Sequence, residues 1–476
     1  MAATTSLLHK PAMRVHKHPF DAERLILFSD GIFAVIMTVM VVPLKLNEKD
    51  VVDDFNLKTF LWNQKSEYLV YLFCFTTTSN LWMTHVRLFA FLKHVDDVII
   101  WLNLFALLCA TFLPYALSLI SVFIQTMPYG FHLAISLGAV PVFLLGLIKT
   151  AIMWYSLRSP ELLTPGSLPM RTVKVALYSS FLSSSVLAVV AVLIGFAERL
   201  LTLSRVCLFA TTGVATTTRF VFYLYLRCKR DEQYTFLSEP PSRARVEALT
   251  DGVFSITATL MLLDFSSQGL PSVSSVQQDY KGSLIAALDD ERYIFFSYIV
   301  SFIIIGMLWL VQYSMFQLIK TITPALTLVN LLTLGFIGVI PFTSGLIVIF
   351  SEAKNSDNEV LAVRVAMVVI FLAGVTQLLF WCIATLQNNV VTVEDPYINV
   401  HQFIKTLILP TVSFIVYWVS LAPDYAVVYL VYAAALITTP FLFILLNLSI
   451  YAWLRKCKTS ETTSNDMGNL QNDSVS

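Results

Sequence analysis

Two carboxylates stand where a carboxylate is costly. Asp30 and Asp251 each open an apolar run, and each is followed by a glycine, Gly31 and Gly252. An ionisable side chain at membrane depth costs about 2.5–3.5 kcal/mol on insertion scales, so its presence points to ion handling or to the bracing of helices. A carboxylate near a helix N-terminus also complements the helix dipole, a purely structural use. The other polar groups inside apolar runs are His85, Asn103, Lys149, Asn330 and Gln377. His85 follows Trp82 by three residues and is expected to hydrogen-bond Asp30, more as a satisfied structural histidine than as a proton relay. Lys149 is expected to snorkel. Other chemistry lacks its residues. There is no G-x-x-x-x-G-K-[ST] loop, no H-E-x-x-H and no defensible Ser/His/Asp spacing. None of Cys74, Cys109, Cys207, Cys228, Cys382 and Cys457 has CxxC or Cys/His metal spacing, so neither a metal site nor a disulfide framework is expected. No catalytic residue and no cofactor is expected. There is also no Thr-Val-Gly-Tyr-Gly filter, so any potassium selectivity would not use a carbonyl ring.

The elements that must position these groups are membrane helices. Of 476 residues 57% are hydrophobic and 13% charged, against about 25% charged in soluble domains; the mean hydropathy is +0.73. Apolar runs long enough to cross a hydrocarbon core fall at 25–46, 67–92, 98–124, 131–156, 172–197, 204–226, 246–266, 292–319, 325–351, 361–387, 402–421 and 426–454. The reading is an all-α polytopic membrane protein with twelve spans. Net charge is zero, so nothing points to nucleic acid. Lys and Arg cluster in the N-terminal tail (1–24), the linker (228–245) and the start of the C-terminal tail (456–476), and the positive-inside rule places all three in the cytosol. The N-terminus has no apolar h-region, so the first span is expected to act as its own insertion signal. The C-terminal tail, rich in Ser, Thr and Asn, is expected to be disordered.

The spans repeat. With Arg24 set against Arg245, the thirteen residues from Asp30 and from Asp251 share five identities. Trp82 precedes Asn103 by 21 residues and Trp309 precedes Asn330 by 21; Asn103 precedes Pro114 by 11 and Asn330 precedes Pro341 by 11. Two six-helix repeats, 25–227 and 246–455, follow. Six is even, so the repeats are parallel and suit a ring of equivalent helices around an axis. At 100° per residue, with Asp30 at zero, Val35, Thr38 and Val42 lie at roughly 140°, 80° and 120°. Ile256, Thr259 and Leu263 repeat that stripe. It turns away from the carboxylate and is either a narrow, mostly apolar lining or ordinary helix packing. Pro114 and Pro341 are expected to kink spans three and nine.

The segment Arg24-Leu-Ile-Leu-Phe28-Ser29-Asp30 resembles the endolysosomal potassium channel family, transmembrane protein 175, whose signature is Arg-x-x-x-Phe-Ser-Asp in the first helix of a six-helix repeat. Trp82-x-x-His85-x-Arg87-Leu-Phe, Asn103, Phe112-Leu-Pro-Tyr115, Arg245-Val-Glu-Ala, Asp251-Gly-Val-Phe and Leu308-Trp309 extend the resemblance from Arg24 to about Arg455. The resemblance implies a homodimer in the lipid membrane of endosomes and lysosomes, passing K+ and also H+. Four first-helices, spans one and seven of each chain, would line its pore. It implies a hydrophobic constriction at Val35 and Ile256, serving as gate and filter, and further lining layers at Thr38/Thr259 and Val42/Leu263. It makes braces of Arg24, Phe28, Ser29, Asp30, Arg245, Leu249, Thr250 and Asp251, held against the helices of Trp82, His85, Asn103, Trp309 and Asn330. Two departures stand out. The second motif reads Leu249-Thr250-Asp251, which loses the aromatic residue. Val35 takes an isoleucine-type position, which is expected to widen the neck slightly.

A secondary transporter on parallel repeats is the competing reading. It wants broken helices at midplane, whereas spans one and seven contain no proline and one glycine each. A scaffold or receptor lacks any recognisable binding module.

Overall fold

The structure is a computed structural model that describes residues 20–41, 44, 55–126, 131–164, 171–197, 200–229, 239–268, 272–290, 292–352, 356–392, 395–422 and 425–473. The first half of the chain forms helices α1 (Ala22–Val39), α2 (Leu57–Asn63), α3 (Lys65–Phe89), α4 (Asp97–Thr126), α5 (Phe131–Arg158), α6 (Arg171–Gly195) and α7 (Leu201–Cys228). The second half forms α8 (Arg243–Gln268), α9 (Val273–Gln278), α10 (Leu284–Asp290), α11 (Arg292–Leu318), α12 (Pro324–Ile337), α13 (Ile340–Glu352), α14 (Ser356–Leu386), α15 (Pro396–Val419) and α16 (Tyr425–Asp473). The chain is thus an all-α polytopic membrane protein. Among the described residues eight segments are long and apolar enough to cross a membrane, within α4, α5, α6, α11, α12–α13, α14, α15 and α16. The remaining expected spans are also helical, as α1, α3, α7 and α8, but carry more polar residues.

Local chemistry sets the helix starts. Asp21 caps α1, its side chain accepting from Glu23 N–H, and Asn56 caps α2 in the same way. Thr323 and Asp395 cap α12 and α15, each followed by a proline in the first turn, where its missing N–H costs nothing. Near Pro341, where a kink is expected, the helix divides at Gly338–Val339 into α12 and α13, whereas α4 continues through Pro114 as one helix. α16 continues to Asp473, into the tail expected to be disordered; once a helix exists, each added residue needs no new nucleus.

The two halves close their bases in the same manner. β1 (Phe20–Asp21) pairs antiparallel with β2 (His94–Val95) at the foot of α1. Just before β2, Leu92 bridges Leu163, with Lys93 N–H donating to Leu162 O and Thr164 N–H to Phe91 O. In the second half Ile319 bridges Val391, with Lys320 N–H donating to Val390 O and Thr392 N–H to Leu318 O.

The main core is continuous across the halves, joining Phe33, Met37 and Trp82 to Leu249, Phe254, Leu308 and Trp381. Between apolar helices in lipid, close approach through small residues replaces the hydrophobic drive. A Cβ on Gly252 of α8 would stand 2.8 Å from Cβ of Ala34 on α1, and a Cβ on Gly146 of α5 would strike Ser185 of α6. α1 and α8 therefore touch backbone to side chain at Gly252 and Ala34. At the opposite end from the β pair, Leu57 N–H donates to Asn358 Oδ1 and Asn358 Nδ2 donates to Phe55 O, tying α2 to α14.

Candidate functional site: two unequal aspartate pockets

Asp30 lies on the face of α1 that meets α3, α4 and α8, and its side chain is fully buried. Trp82 Nε1 of α3 donates to its Oδ1 at 2.8 Å. Arg245 of α8 grips it with two bonds, Nε to Oδ2 at 3.0 Å and Nη2 to Oδ1 at 2.5 Å. Such a planar, charge-assisted fork fixes geometry as well as charge. A second chain of bonds runs beside it. Ser29 Oγ donates to Leu25 O and accepts from Asn103 Nδ2, and Asn103 Oδ1 is bonded to His85 Nε2 at 3.0 Å. His85 Nδ1 faces Arg245 Nη2 at 3.2 Å. Arginine can only donate, so Nδ1 accepts and Nε2 carries the proton given to Asn103. His85 thus braces Asn103 and Arg245, and the bond to Asp30 expected from the sequence is not made. The reason is reach: Trp82 and Arg245 already occupy the carboxylate.

The second pocket repeats the first with one part missing. Trp309 Nε1 donates to Asp251 Oδ1 at 2.8 Å. Asn330 Nδ2 donates to Thr250 Oγ1 at 2.9 Å, and Gln312 Nε2 donates to Asn330 Oδ1 at 2.9 Å. Gln377 Nε2 reaches Gln312 Oε1 and Leu308 O. Thr250 serves where Ser29 does, and Gln312 stands where His85 does. Gln312 was legible, since it follows Trp309 by three residues as His85 follows Trp82, although a neutral amide among apolar neighbours is a weaker signal than an imidazole. Among the described residues no arginine reaches Asp251. Asp251 is exposed and so is Trp309, while Arg24, which corresponds to Arg245, is exposed too. Phe28 is 52% exposed, whereas its counterpart Leu249 is fully buried. Leu249 packs into the core in place of the aromatic residue.

Of the stripe residues, Val35 is 42% exposed and Thr259 is exposed, Ile256 is partly buried, and Thr38 is fully buried with its hydroxyl on Ala34 O and Val35 O. Val42 lies outside the described residues, as does the side chain of Leu263. Lys149 does not snorkel. It is 3% exposed and donates to Leu81 O at 3.0 Å and to Thr84 Oγ1, acceptors that α3 presents beside it.

The model of the family described as "Endosomal/lysosomal potassium channel TMEM175" matches residues 24–114 and 245–341, the two stretches that build these pockets. The chain is 30% identical over 421 residues to the endosomal/lysosomal proton channel TMEM175 of Gallus gallus, covering 82% of this chain and 80% of that protein. It is 32% identical over 379 residues to the Homo sapiens protein of the same name, covering 77% and 73%. A potassium channel of Streptomyces collinus is 29% identical over 137 residues, 29% of this chain and 62% of that one.

Proposed function

The chain belongs to the endosomal/lysosomal potassium channel TMEM175 family, and on that premise we propose that it is a cation channel of endosomal and lysosomal membranes. It passes potassium and protons through a pore enclosed by a homodimer. The observation that carries this reading is the inequality of the two aspartate pockets. Asp30 is buried under Arg245, while Asp251 and Arg24 are both exposed. A twofold axis that sets Arg24 of one subunit on Asp251 of the other completes both pockets and closes α1, α8 and their copies into a ring of four.

The helix faces agree with a ring. With each motif aspartate at zero, α1 meets α8 at Ala34, about 40°, and α8 meets α1 at Gly252, about 100°. On α8 the face near 40°, Ser255, is exposed; on α1 the face beyond 100°, Arg24, Phe28 and Val35, is exposed. Each helix then has one neighbour on either side. On α1 the direction between them carries Thr38 and Val42, near 80° and 120°, and on α8 it carries Thr259, near 80°; Val35, Ile256 and Leu263, near 120–140°, border it. That stripe is the lining of the proposed pore. Val35 and Ile256 form a hydrophobic constriction that acts as gate and filter, favouring ions that shed water cheaply.

In this reading α1, α3, α7 and α8 join the eight more apolar segments as spans, giving two six-helix repeats with both termini and the linker cytosolic. Against a carrier, α1 and α8 are unbroken, whereas carriers place their sites on discontinuous helices. The test is patch recording from lysosomes under potassium and pH gradients. Single-channel openings are expected, and Ile256→Asn and Val35→Asn each raise current and weaken discrimination of potassium over sodium. Unchanged reversal potentials in both variants reject the lining, and flux without openings favours the carrier.

A further inference from the structure

Each half of the chain encloses a cavity at the corresponding place, and the two differ in chemistry. The first lies between α3, α5, α6 and α7, has a volume of about 30 Å³, and is lined by Thr77, Asn80, Thr84, Lys149, Ser184 and Thr211 among others. The second lies between α11, α14, α15 and α16 and has a volume of about 50 Å³. With Trp82 set against Trp309, Thr77 and Asn80 of the first correspond to Ile304 and Met307 of the second. Lys149 corresponds to Gln377, since they donate to Leu81 O and Leu308 O, each the carbonyl just before its tryptophan. Lys149 lines its cavity, whereas Gln377 turns its amide onto Gln312 and is absent from the wall of the second. That wall is overwhelmingly apolar, and three hydroxyl residues interrupt it. Two of them, Ser413 and Thr439, donate to their own helices, at Leu409 O and Ala435 O. The third is Tyr432, whose hydroxyl has no hydrogen-bond partner among the described residues.

A buried water wants two to four polar partners, and an apolar cavity without them takes an apolar guest instead. A body the size of water needs about 10–15 Å³ by this measure, so the second cavity seats roughly three to five. That is the size of a chain of about four carbons and one oxygen. The cavity is not sealed. Ile303 on its wall is 41% exposed, and Ile299 and Phe302 beside it on α11 are exposed too, so the way in crosses an apolar outer face. No charged side chain lines the wall, and an ionic guest would be buried without a counter-charge. We propose that this cavity is a binding site for a small uncharged amphiphile, an aliphatic tail of about four carbons with a single hydroxyl. The hydroxyl pairs with Tyr432, and the tail lies against Ile304, Met307 and Leu409. The guest restores the contacts that a void denies its lining and braces α11 against α16.

The test uses the purified full chain in lipid nanodiscs and a photoactivatable butanol with a diazirine on its third carbon. After irradiation, mass spectrometry locates the adducts. Saturable labelling is expected on residues of the second cavity, Met307 or Tyr432 above all, and excess 1-butanol is expected to remove it. 1,4-Butanediol is expected to compete at least about 10-fold less well, because its second hydroxyl would be buried without a partner. Tyr432→Phe keeps the ring and is expected to raise the half-saturating concentration by about 2- to 10-fold, the loss of one hydrogen bond. Ala435→Leu, which fills the cavity, is expected to abolish the labelling; the competition on the wild-type chain decides the matter even if that variant does not fold. Labelling that rises without saturation over outward-facing residues is partition into lipid and overturns the site. Equal labelling beside Thr84 and Thr211 overturns the preference for the second cavity. Equal competition by the diol overturns the apolar tail. Unchanged half-saturation in Tyr432→Phe overturns the paired hydroxyl and leaves the end of a bilayer acyl chain as the occupant.

Discussion

At the scale of single residues, the structure gives Asp30 a partner for every lone pair that matters. Burying one charge of a pair and removing the other leaves an uncompensated ion, which costs about 3–5 kcal/mol, whereas removing both costs far less. Asp30→Asn and Arg245→Gln are each expected to lower stability by about that amount, and the double variant by less than their sum. Thermal unfolding of the purified single and double variants in a double-mutant cycle checks this; strict additivity would mean that the fork is not a coupled unit. Arg245→Lys is expected to behave as a loss, because an ammonium cannot bond both carboxylate oxygens and still face His85 Nδ1. The sequence marked Asp30 as a brace from its place on the helix, and Arg24, six residues away, sits on another face. The sequence could not name Arg245, 215 residues away. Helical periodicity says which way a side chain points and nothing about which distant helix lies there. The same gap sent His85 to Asp30 in the sequence reading, when Asn103 and Arg245 hold it.

At the scale of elements, the contact that decides the geometry is glycine against alanine. Nothing longer than hydrogen fits at Gly252 while Ala34 stands 2.8 Å from its Cβ position. Gly252→Val is expected to force α8 off α1 and cost about 1–3 kcal/mol, the usual penalty for overpacking a filled core. It should also lengthen the Asp30–Arg245 fork, which spans the same two helices. Gly252→Val with Ala34→Gly should recover part of the loss, read by unfolding midpoint; no recovery would place the strain elsewhere. Helix existence was legible throughout, because hydropathy and capping are local properties: every expected span falls on a helix. What was not legible were features set by neighbours. The short helices α2, α9 and α10 lie in connecting segments without apolar runs, and the break at Gly338–Val339 precedes the proline that announced it. Lys149 was read as a surface-seeking lysine because the acceptors that keep it inside, Leu81 O and Thr84 Oγ1, belong to another helix.

At the scale of the whole molecule, the proposed twofold assembly rests on the repeat and its inequality. A duplicated unit with both pockets complete inside one chain would need no partner. Here one pocket is complete and the other is open, and the missing residue type, an arginine, stands unused on the exposed face of α1. The geometry also leaves room: Gly31, the counterpart of Gly252, has no atom within 4 Å of its Cβ position, so that face can take a neighbour as close as α8 is to α1. A twofold, isologous contact uses each open half-site once and closes; a head-to-tail contact using only one of them would not. The prediction is a charge swap. Arg24→Asp or Asp251→Arg alone is expected to weaken the dimer by about 2–5 kcal/mol per contact, the range for breaking one side of a buried charge pair, and the axis makes two such contacts. Combined in one chain, Arg24→Asp and Asp251→Arg face each other across the interface with charges reversed, and the dimer should largely return. Asp30 and Arg245 are untouched in all three variants, and an unchanged unfolding midpoint of the single chain separates a change in assembly from the loss of the Trp309–Asp251 bond. Native mass spectrometry in detergent reads the outcome directly. A dimer indifferent to both single changes would remove the contact on which the four-helix ring rests, and with it the assignment of Val35 and Ile256 to a common constriction.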